Sequence, residues 1–101
     1  MDIFEFVRND EQFNYYYIEF NNNFIKALNV YATDHTNNKK DFLLNFTKSV
    51  YSVVLKTQYG KKIKYKEAVK QIAEYLGTTA NSIYKLIAFY KKYKEDWNGK
   101  A

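Results

Sequence analysis

The chain has 101 residues, enough for one domain with a modest core. Aromatic residues make up 20 % of it, which favours a folded chain over a disordered tail. There is no cysteine, and this excludes disulfide frameworks, zinc ribbons and thiol chemistry. Because the sequence contains neither a membrane-spanning apolar run nor a signal-peptide pattern, we expect a cytoplasmic protein.

Charge is distributed unevenly along the chain. Residues 1–38 carry two basic and six acidic side chains, a net of −4, whereas residues 39–101 carry 14 lysines and five acids, a net of +9. A basic segment beside an acidic one predicts a polyanionic partner on one side of the molecule, although a solubilising lysine surface would give the same totals. The abundance of Lys, Asn, Tyr, Phe and Ile is typical of AT-rich coding DNA and indicates a low-GC bacterium, or a plasmid or phage of one.

The N-terminal segment IFEFVRNDEQFNYYYIEF predicts a β-hairpin. Residues 3–7 and 13–20 are rich in aromatic and β-branched residues, and the polar segment RNDEQ separates them. Along the second run Tyr16, Ile18 and Phe20 fall on one face of a strand. A free hairpin is only marginally stable, so a further strand or a helix should pack against it.

Helical spacing governs most of the remaining chain. Apolar residues recurring every three or four positions predict helices over 23–32, 40–57, 65–76 and 79–95. Residues 33–40 are polar and predict a loop, which contains the only histidine, His35. With no cysteine or second histidine nearby, His35 is expected to be exposed and to bind no metal. The alternation of lysine with Ile63 and Tyr65 in KKIKYK predicts a short strand near 62–65.

Residues 72–86 contain the residue types that a DNA-reading corner needs. Ala73 offers a small side chain where a second helix could cross, Gly77 tolerates positive φ, and Ile83 can return to the core. On these positions the sequence resembles the helix-turn-helix family, as I-A-x-x-L-G-x5-I-x-x-L. So short a pattern also occurs in helical bundles that bind nothing. The resemblance implies base contacts from the residues after the turn, which are Thr79, Ala80, Asn81, Tyr84 and Lys85.

The last predicted helix separates an apolar half from a basic arc. The apolar half holds Ile83, Leu86, Ile87, Phe89, Tyr90, Tyr93 and Trp97. The opposite arc holds Asn81, Tyr84, Lys85, Ala88, Lys91 and Lys92. The arc contains no acid, and Asn, Lys and Tyr can bond base edges or phosphates. A solvated polar face, the alternative, would normally mix both signs of charge.

The order of elements also resembles a winged helix whose wing is displaced. We expect an α+β winged helix-turn-helix with three to four helices and a small antiparallel sheet, formed by the N-terminal hairpin and the strand near 62–65. The wing tip would then carry Arg8, Asn9, Gln12 and Asn14. Arg8, the only arginine, would join the base contacts because its planar fork suits base edges and narrow minor grooves. A purely structural or dimer-forming hairpin is the alternative.

The apolar surface at the C-terminus indicates self-association. Phe89, Tyr93 and Trp97 lie beyond the corner, where little chain remains to cover them, so a two-fold dimer through this helix is expected. Packing against the helix over 23–32 is the alternative.

These features together predict a dimeric, sequence-specific double-stranded DNA-binding protein without enzymatic activity, cofactor, metal or small-molecule ligand. Phosphate contacts would come from Lys61, Lys62, Lys64, Lys66, Lys91 and Lys92. In overall character the chain is similar to the small winged-helix proteins that bind a conjugative plasmid's origin of transfer, the TcpK type of clostridial plasmids. The alternatives are a plasmid or phage repressor, a replication-initiator module, and a phage-type protein-binding inhibitor without DNA contact.

Overall fold

A computed structural model describes residues 1–97, which fold into helices without a β-strand. The elements in chain order are α1 (Ile3–Asn9), α2 (Glu11–Glu19), α3 (Phe24–His35), α4 (Lys39–Lys61), α5 (Tyr65–Leu76), α6 (Ala80–Tyr93) and a 3₁₀ turn (Lys94–Asp96). The predicted α+β fold with a small sheet is therefore wrong. The helical part of the prediction is retained, with all four expected helices present.

The N-terminal segment forms two short helices in place of the predicted hairpin. Asp2 caps α1 by accepting hydrogen bonds from the backbone of Phe4 and Glu5, at 3.1 Å each. Asp10 ends α1 and caps α2, accepting from Phe13 N at 2.9 Å. Because Asp side chains satisfy the free N–H groups of a first helical turn, both positions favour helix over strand.

The four residues predicted at a wing tip therefore lie on helices. Arg8 and Asn9 form the last turn of α1, and Gln12 lies in the first turn of α2. The Asn14 amide donates to Val7 O at 2.9 Å and to Asp10 O at 2.8 Å, tying the two helices together. No wing exists within residues 1–97.

The predicted strand near 62–65 is also wrong. α4 continues to Lys61, Lys62 ends it in the left-handed region with φ 55°, and α5 begins at Tyr65. Ile63 N donates to Gln58 O at 3.1 Å, as in a helix C-cap. With only Lys62, Ile63 and Lys64 between two helices, no length remains for a strand.

The remaining helix boundaries agree with the predicted ones to within a few residues. The differences arise where polar residues extend a helix beyond its apolar pattern. α3 continues to His35, so this residue ends a helix and is not in a loop, although it is exposed as expected. Its ring stacks on Tyr31, with centroids 5.2 Å apart. α4 begins after Asn38, whose side chain caps it by accepting from Asp41 N at 3.0 Å.

One hydrophobic core serves the whole described chain. α4 packs against α1, α3, α5 and α6, and the core includes fully buried residues from both halves, such as Phe13, Phe24, Phe46 and Ile83. Helices α1–α3, here called the N-terminal layer, also reach the α5–α6 connection, where the Tyr17 hydroxyl donates to Gly77 O. In residues 1–97 no helix is both long and apolar enough to cross a membrane.

Candidate nucleic-acid interface

α5 and α6 are joined by a three-residue turn, Gly77 to Thr79. Gly77 adopts φ 73°, a conformation that costs a residue with a side chain of the order of 1 kcal/mol. Its N–H and that of Thr78 bond back to the last turn of α5, the latter to Ala73 O at 2.9 Å. This double closure is a Schellman cap, which stops α5 and redirects the chain.

The residues that the sequence assigned to the inside of this corner are buried. Ala73, Ile83 and Leu86 are at most 5 % exposed, and Ile72 and Leu76 lie with them in the core. A small residue at 73 lets α6 approach α5 closely, and Ile83 fills the space between the two helices and α4. The corner is therefore held by packing as well as by its cap.

The basic arc of α6 faces outward. Asn81, Tyr84, Lys85, Ala88, Lys91 and Lys92 are all exposed. They follow one another at helical spacing over about three turns, and a major groove is wide enough to admit an α-helix. The predicted base-reading side chains Asn81, Tyr84 and Lys85 thus lie together on one open face.

Thr79 has a structural role at the start of this face. Its hydroxyl oxygen accepts from Ser82 N at 3.2 Å and donates to Ser82 Oγ at 3.1 Å, capping α6. Since the hydroxyl is already engaged, Thr79 contributes to any interface mainly by fixing where α6 begins. Ala80, the next residue, is half-buried.

The α4–α5 junction brings four exposed lysines to the start of α5. Lys61, Lys62, Lys64 and Lys66 lie within six consecutive residues, and Lys61 Nζ donates to Gln71 Oε1 at 2.8 Å. No side chain caps α5, and the backbone N–H of Glu67 in its first turn donates to Lys64 O at 3.0 Å. Lysines around a helix N-terminus form a surface that attracts phosphate, and Glu67 is the one acid among them.

Tyr65 connects this junction to the outer face of α6. Its ring lies 6.3 Å from that of Tyr84, centroid to centroid. Burial raises the pKa of Tyr65 above its ordinary value of 10.0, and the neighbouring Tyr51 and Tyr84 raise it further. The phenol is therefore neutral at physiological pH and can donate a hydrogen bond. The Tyr65–Tyr84 contact therefore links the α4–α5 junction to the α6 arc.

The lysines near the C-terminal end of α6 lie over aromatic rings. The Lys91 ammonium is 4.9 Å from the centroid of Tyr51, and that of Lys92 is 5.2 Å from the centroid of Tyr93. Such cation–π contacts order a lysine without neutralising it. Both ammonium groups remain exposed at the end of the arc.

Arg8 lies on a different part of the molecule from the α6 arc. It belongs to α1, which packs against α2, α4 and α5. It lines a groove with Lys56 of α4 and Tyr75 of α5. The structure therefore does not bring Arg8 together with Asn81, Tyr84 and Lys85.

The residues assigned to a dimer interface are partly covered within the chain. The Trp97 indole N–H donates to Asp41 Oδ1 at 2.8 Å, which returns the end of the described chain to the start of α4. The Phe89 and Tyr93 rings lie 4.9 Å apart, and both line a groove that Lys40 and Leu43 also line. All three aromatic residues are half-buried.

The sequence placed Tyr65 in two elements, the short strand near 62–65 and the start of the helix over 65–76. The helix is confirmed and the strand is wrong. The contact of Tyr65 with Tyr84 on the candidate interface was not predicted. The available signal was the helical spacing of Tyr65 to Ala68, Val69 and Ile72, which are buried on α5.

Within residues 1–97, acidic side chains do not gather into a metal site. In the described part of the chain no group of three or more His, Asp or Glu residues is placed to hold a metal ion. His35 and Asp34 instead share the Tyr16 hydroxyl, at 3.1 Å each. Partial burial and the bond to Asp34 raise the pKa of Tyr16.

The chain matches none of the protein-family models, curated proteins or solved structures with which it was compared.

Proposed function

We propose that this chain is a sequence-specific double-stranded DNA-binding protein that inserts α6 into a major groove. The observation that carries the proposal is the outward face of α6, where Asn81, Tyr84 and Lys85 are exposed together and no acid interrupts the arc. Asn can bond an adenine edge bidentately, and Lys can reach the acceptors of guanine. Ile83 and Leu86 on the opposite side fix the orientation of that face.

The phosphate contacts in this proposal come from the α4–α5 junction. Lys61, Lys62, Lys64 and Lys66 flank the start of α5, and the Tyr65–Tyr84 contact holds this junction beside the α6 arc. A helix in the groove with lysines on the adjacent backbone is the usual division between specificity and affinity. Binding should therefore weaken steeply as salt is added.

A protein-binding module is the alternative of a different class. The exposed Tyr84 and the half-buried Tyr65, next to lysines, would also suit an acidic protein surface, with the corner serving as scaffold only. The two functions differ in what Asn81 does, because an amide that reads adenine has no comparable role opposite a purely acidic surface.

Selection of bound fragments from a random duplex library tests the proposal. We expect a consensus site, and we expect Asn81→Ala and Lys85→Ala each to weaken binding to it by about 1–3 kcal/mol. Lys26→Ala, which removes an exposed lysine from α3, is the matched control and should leave affinity within about 0.5 kcal/mol. Recovery of no consensus, together with binding that does not respond to salt, would contradict DNA reading.

The genomic position of the consensus separates the processes that such binding could serve. A site in a plasmid's origin of transfer would support a role in conjugation, as the resemblance to the TcpK type implies. This chain would then serve that role without the wing that those proteins have. A site in a promoter would support a repressor, and one in a replication origin an initiator module.

We further propose that the protein binds as a dimer through the groove between α3, α4 and α6, which Leu43, Phe89 and Tyr93 line. A two-fold dimer requires a palindromic consensus with half-sites about 10 base pairs apart, or a multiple of this. Sedimentation equilibrium of the free protein and of Tyr93→Lys measures the association directly. A monomer at all concentrations, bound to a single asymmetric site, would contradict the dimer while leaving DNA reading intact.

A further inference from the structure

A groove with an apolar floor and a basic rim runs between α1, α4 and α5, away from the α6 arc. Its volume is about 450 Å³, within the range of roughly 300–1,000 Å³ that small-molecule sites occupy. Three helices contribute to it at helical spacing: Phe4 and Arg8 from α1, Val53 and Thr57 from α4, and Ile72 with Tyr75 from α5.

Apolar side chains form the floor. Ile72 is only 2 % exposed, and Val53 lies beside it on α4. The Phe4 and Tyr75 rings meet edge to face, with centroids 6.3 Å apart and planes at 85°. Tyr75 is 63 % exposed, a large value for an aromatic residue that packs against another ring. A flat or chain-like apolar group entering the groove would cover this ring and exclude water from the floor.

The polar rim is entirely cationic or neutral. Arg8 and Lys56 are both exposed, Thr57 adds a hydroxyl, and no acid is among the residues that line the groove. The acids of α1 face elsewhere: Asp2 and Glu5 line a separate depression with Asn9. The only arginine of the chain thus lines the same groove as Lys56, and its planar fork suits a carboxylate.

We propose that this groove binds a small organic anion, a carboxylate carried on an aromatic ring or an aliphatic chain. Arg8 and Lys56 bind the carboxylate, and the floor of Phe4, Val53, Ile72 and Tyr75 binds the apolar body. Charge complementarity selects an anion, and the apolar floor selects against inorganic phosphate, which has no apolar group to bury. The sequence showed none of this, because the groove joins residues from three distant segments.

The groove between α3, α4 and α6 is a weaker candidate for such a ligand. Its volume is similar, about 470 Å³, but the ammonium group of its Lys40 lies 5.6 Å from the Tyr93 ring. Its Asn29 amide donates to Ile25 O at 2.9 Å. The Asn29 amide is therefore engaged inside the protein, and this groove is also the one proposed for the dimer.

Two-dimensional ¹H–¹⁵N NMR of the full chain, without DNA, tests the proposal with benzoate and octanoate as probes. Each is titrated to about 10 mM, enough to saturate a site of about 1 mM affinity. We expect shifts confined to α1, the C-terminal half of α4 and the C-terminal half of α5. Benzyl alcohol, octanol and inorganic phosphate should bind at least about tenfold more weakly than benzoate and octanoate. The two alcohols lack the carboxylate, and phosphate lacks the apolar body.

Variants locate the site. Arg8→Gln and Lys56→Gln should each weaken carboxylate binding about tenfold or more, the low end of what a missing charged hydrogen bond costs. Lys70→Gln, an exposed lysine of α5 that does not line the groove, should leave it unchanged, as should Lys85→Ala on the α6 arc. The proposal would be overturned if neither benzoate nor octanoate shifted the NMR signals of this region. It would also be overturned if Lys70→Gln weakened binding as much as Arg8→Gln. Because no DNA is present, either result is independent of whether α6 reads DNA.

Discussion

The N-terminal layer, α1–α3, and the unit α4–α6 share one core but differ in the charge of their exposed surfaces. All but one of the six acids in residues 1–38 are exposed, whereas the exposed charged side chains of residues 61–93 are eight lysines and two acids. Phe13 and Phe24 from the layer are as deeply buried as Val54 and Ile83 from the unit. Both regions thus contribute fully buried residues to one core, and they differ in the charge of their exposed side chains.

The largest expected effect tests whether the N-terminal layer is integral to the fold. Phe13 is fully buried, and its ring lies 5.3 Å from Phe6 and 5.2 Å from Phe24. Phe13→Ala should lower the free energy of unfolding by about 3–5 kcal/mol, in one cooperative urea transition followed by circular dichroism. Tyr15→Ala, at a 59 % exposed position, should change it by less than about 0.5 kcal/mol. A first transition that leaves α4–α6 folded would show that the layer is an accessory.

The next effect concerns the contrast in charge. Replacing Lys61, Lys62 and Lys64 by Gln should reduce the slope of log affinity against log salt by about 2.7, because each phosphate that is no longer neutralised removes about 0.9. Lys26→Gln in the N-terminal layer should leave the slope unchanged. Titration of a fixed duplex at several salt concentrations measures both. An equal change from Lys26→Gln would indicate that charge acts through the whole molecule and not through the junction.

A smaller effect distinguishes two glycines within α4–α6. Gly77→Ala should lower the free energy of unfolding by about 1 kcal/mol, because a Cβ meets no atom within 4 Å but the φ of 73° is strained. Gly60→Ala lies inside the last turns of α4, also with open space, and should raise it by about 0.5–1 kcal/mol. Thermal unfolding of both variants shows whether each change raises or lowers the free energy of unfolding. Stabilisation by Gly77→Ala would mean that the corner is not held in this conformation in solution.

The smallest effect compares how tyrosines are buried in the two regions. Burial and a hydrogen bond to Asp10 raise the pKa of Tyr31, whereas burial and two neighbouring tyrosines raise that of Tyr65. A raised folded-state pKa means that the stabilising contribution is complete below 10.0 and is lost as the pH rises above it. Urea midpoints between pH about 9 and 11 should therefore fall with pH, and less steeply in Tyr31→Phe and Tyr65→Phe. If the urea midpoint of either variant fell with pH as steeply as that of the unchanged protein, the raised pKa assigned to that tyrosine would be contradicted.

The helices of the unit α4–α6 could be predicted because their signals agree. The apolar residues of α4 and α5 repeat at helical spacing, and Gly77 marks the end of α5 where positive φ is needed. The outward face of α6 followed from the same periodicity. The strand near 62–65 was wrongly predicted because an alternation over four residues is too short to separate a strand from a helix boundary.

Helices α1 and α2 were mispredicted because β-propensity was given more weight than spacing. Aromatic and β-branched residues favour strands, but tertiary contacts override that preference. The buried side of α2 follows helical spacing through Phe13, Tyr16, Tyr17 and Phe20, whereas Ile18, expected on the same face of a strand as Tyr16, is 74 % exposed. A test for the 3.6-residue period would have identified the helix.

Polar residues also marked these helices. Asp2 and Asp10 precede their helices at cap positions, and Asn21 and Asn22 follow α2 with φ of 54° and 64°, which Asn tolerates better than most residues. The Tyr65–Tyr84 contact and the groove around Arg8 could not be predicted, because both depend on how distant helices pack.

The hydrogen bond from Tyr17 to Gly77 joins positions 60 residues apart, and this has a consequence for how the chain assembles. Synthesis releases α2 well before the corner exists, so the Tyr17 hydroxyl remains without this partner until α5 is complete and Gly77 has turned. Closing so long a segment is slow compared with forming single helices. We therefore expect the corner to reach its final form late in folding, and a chain that lacks α1 and α2 would form the corner without this contact.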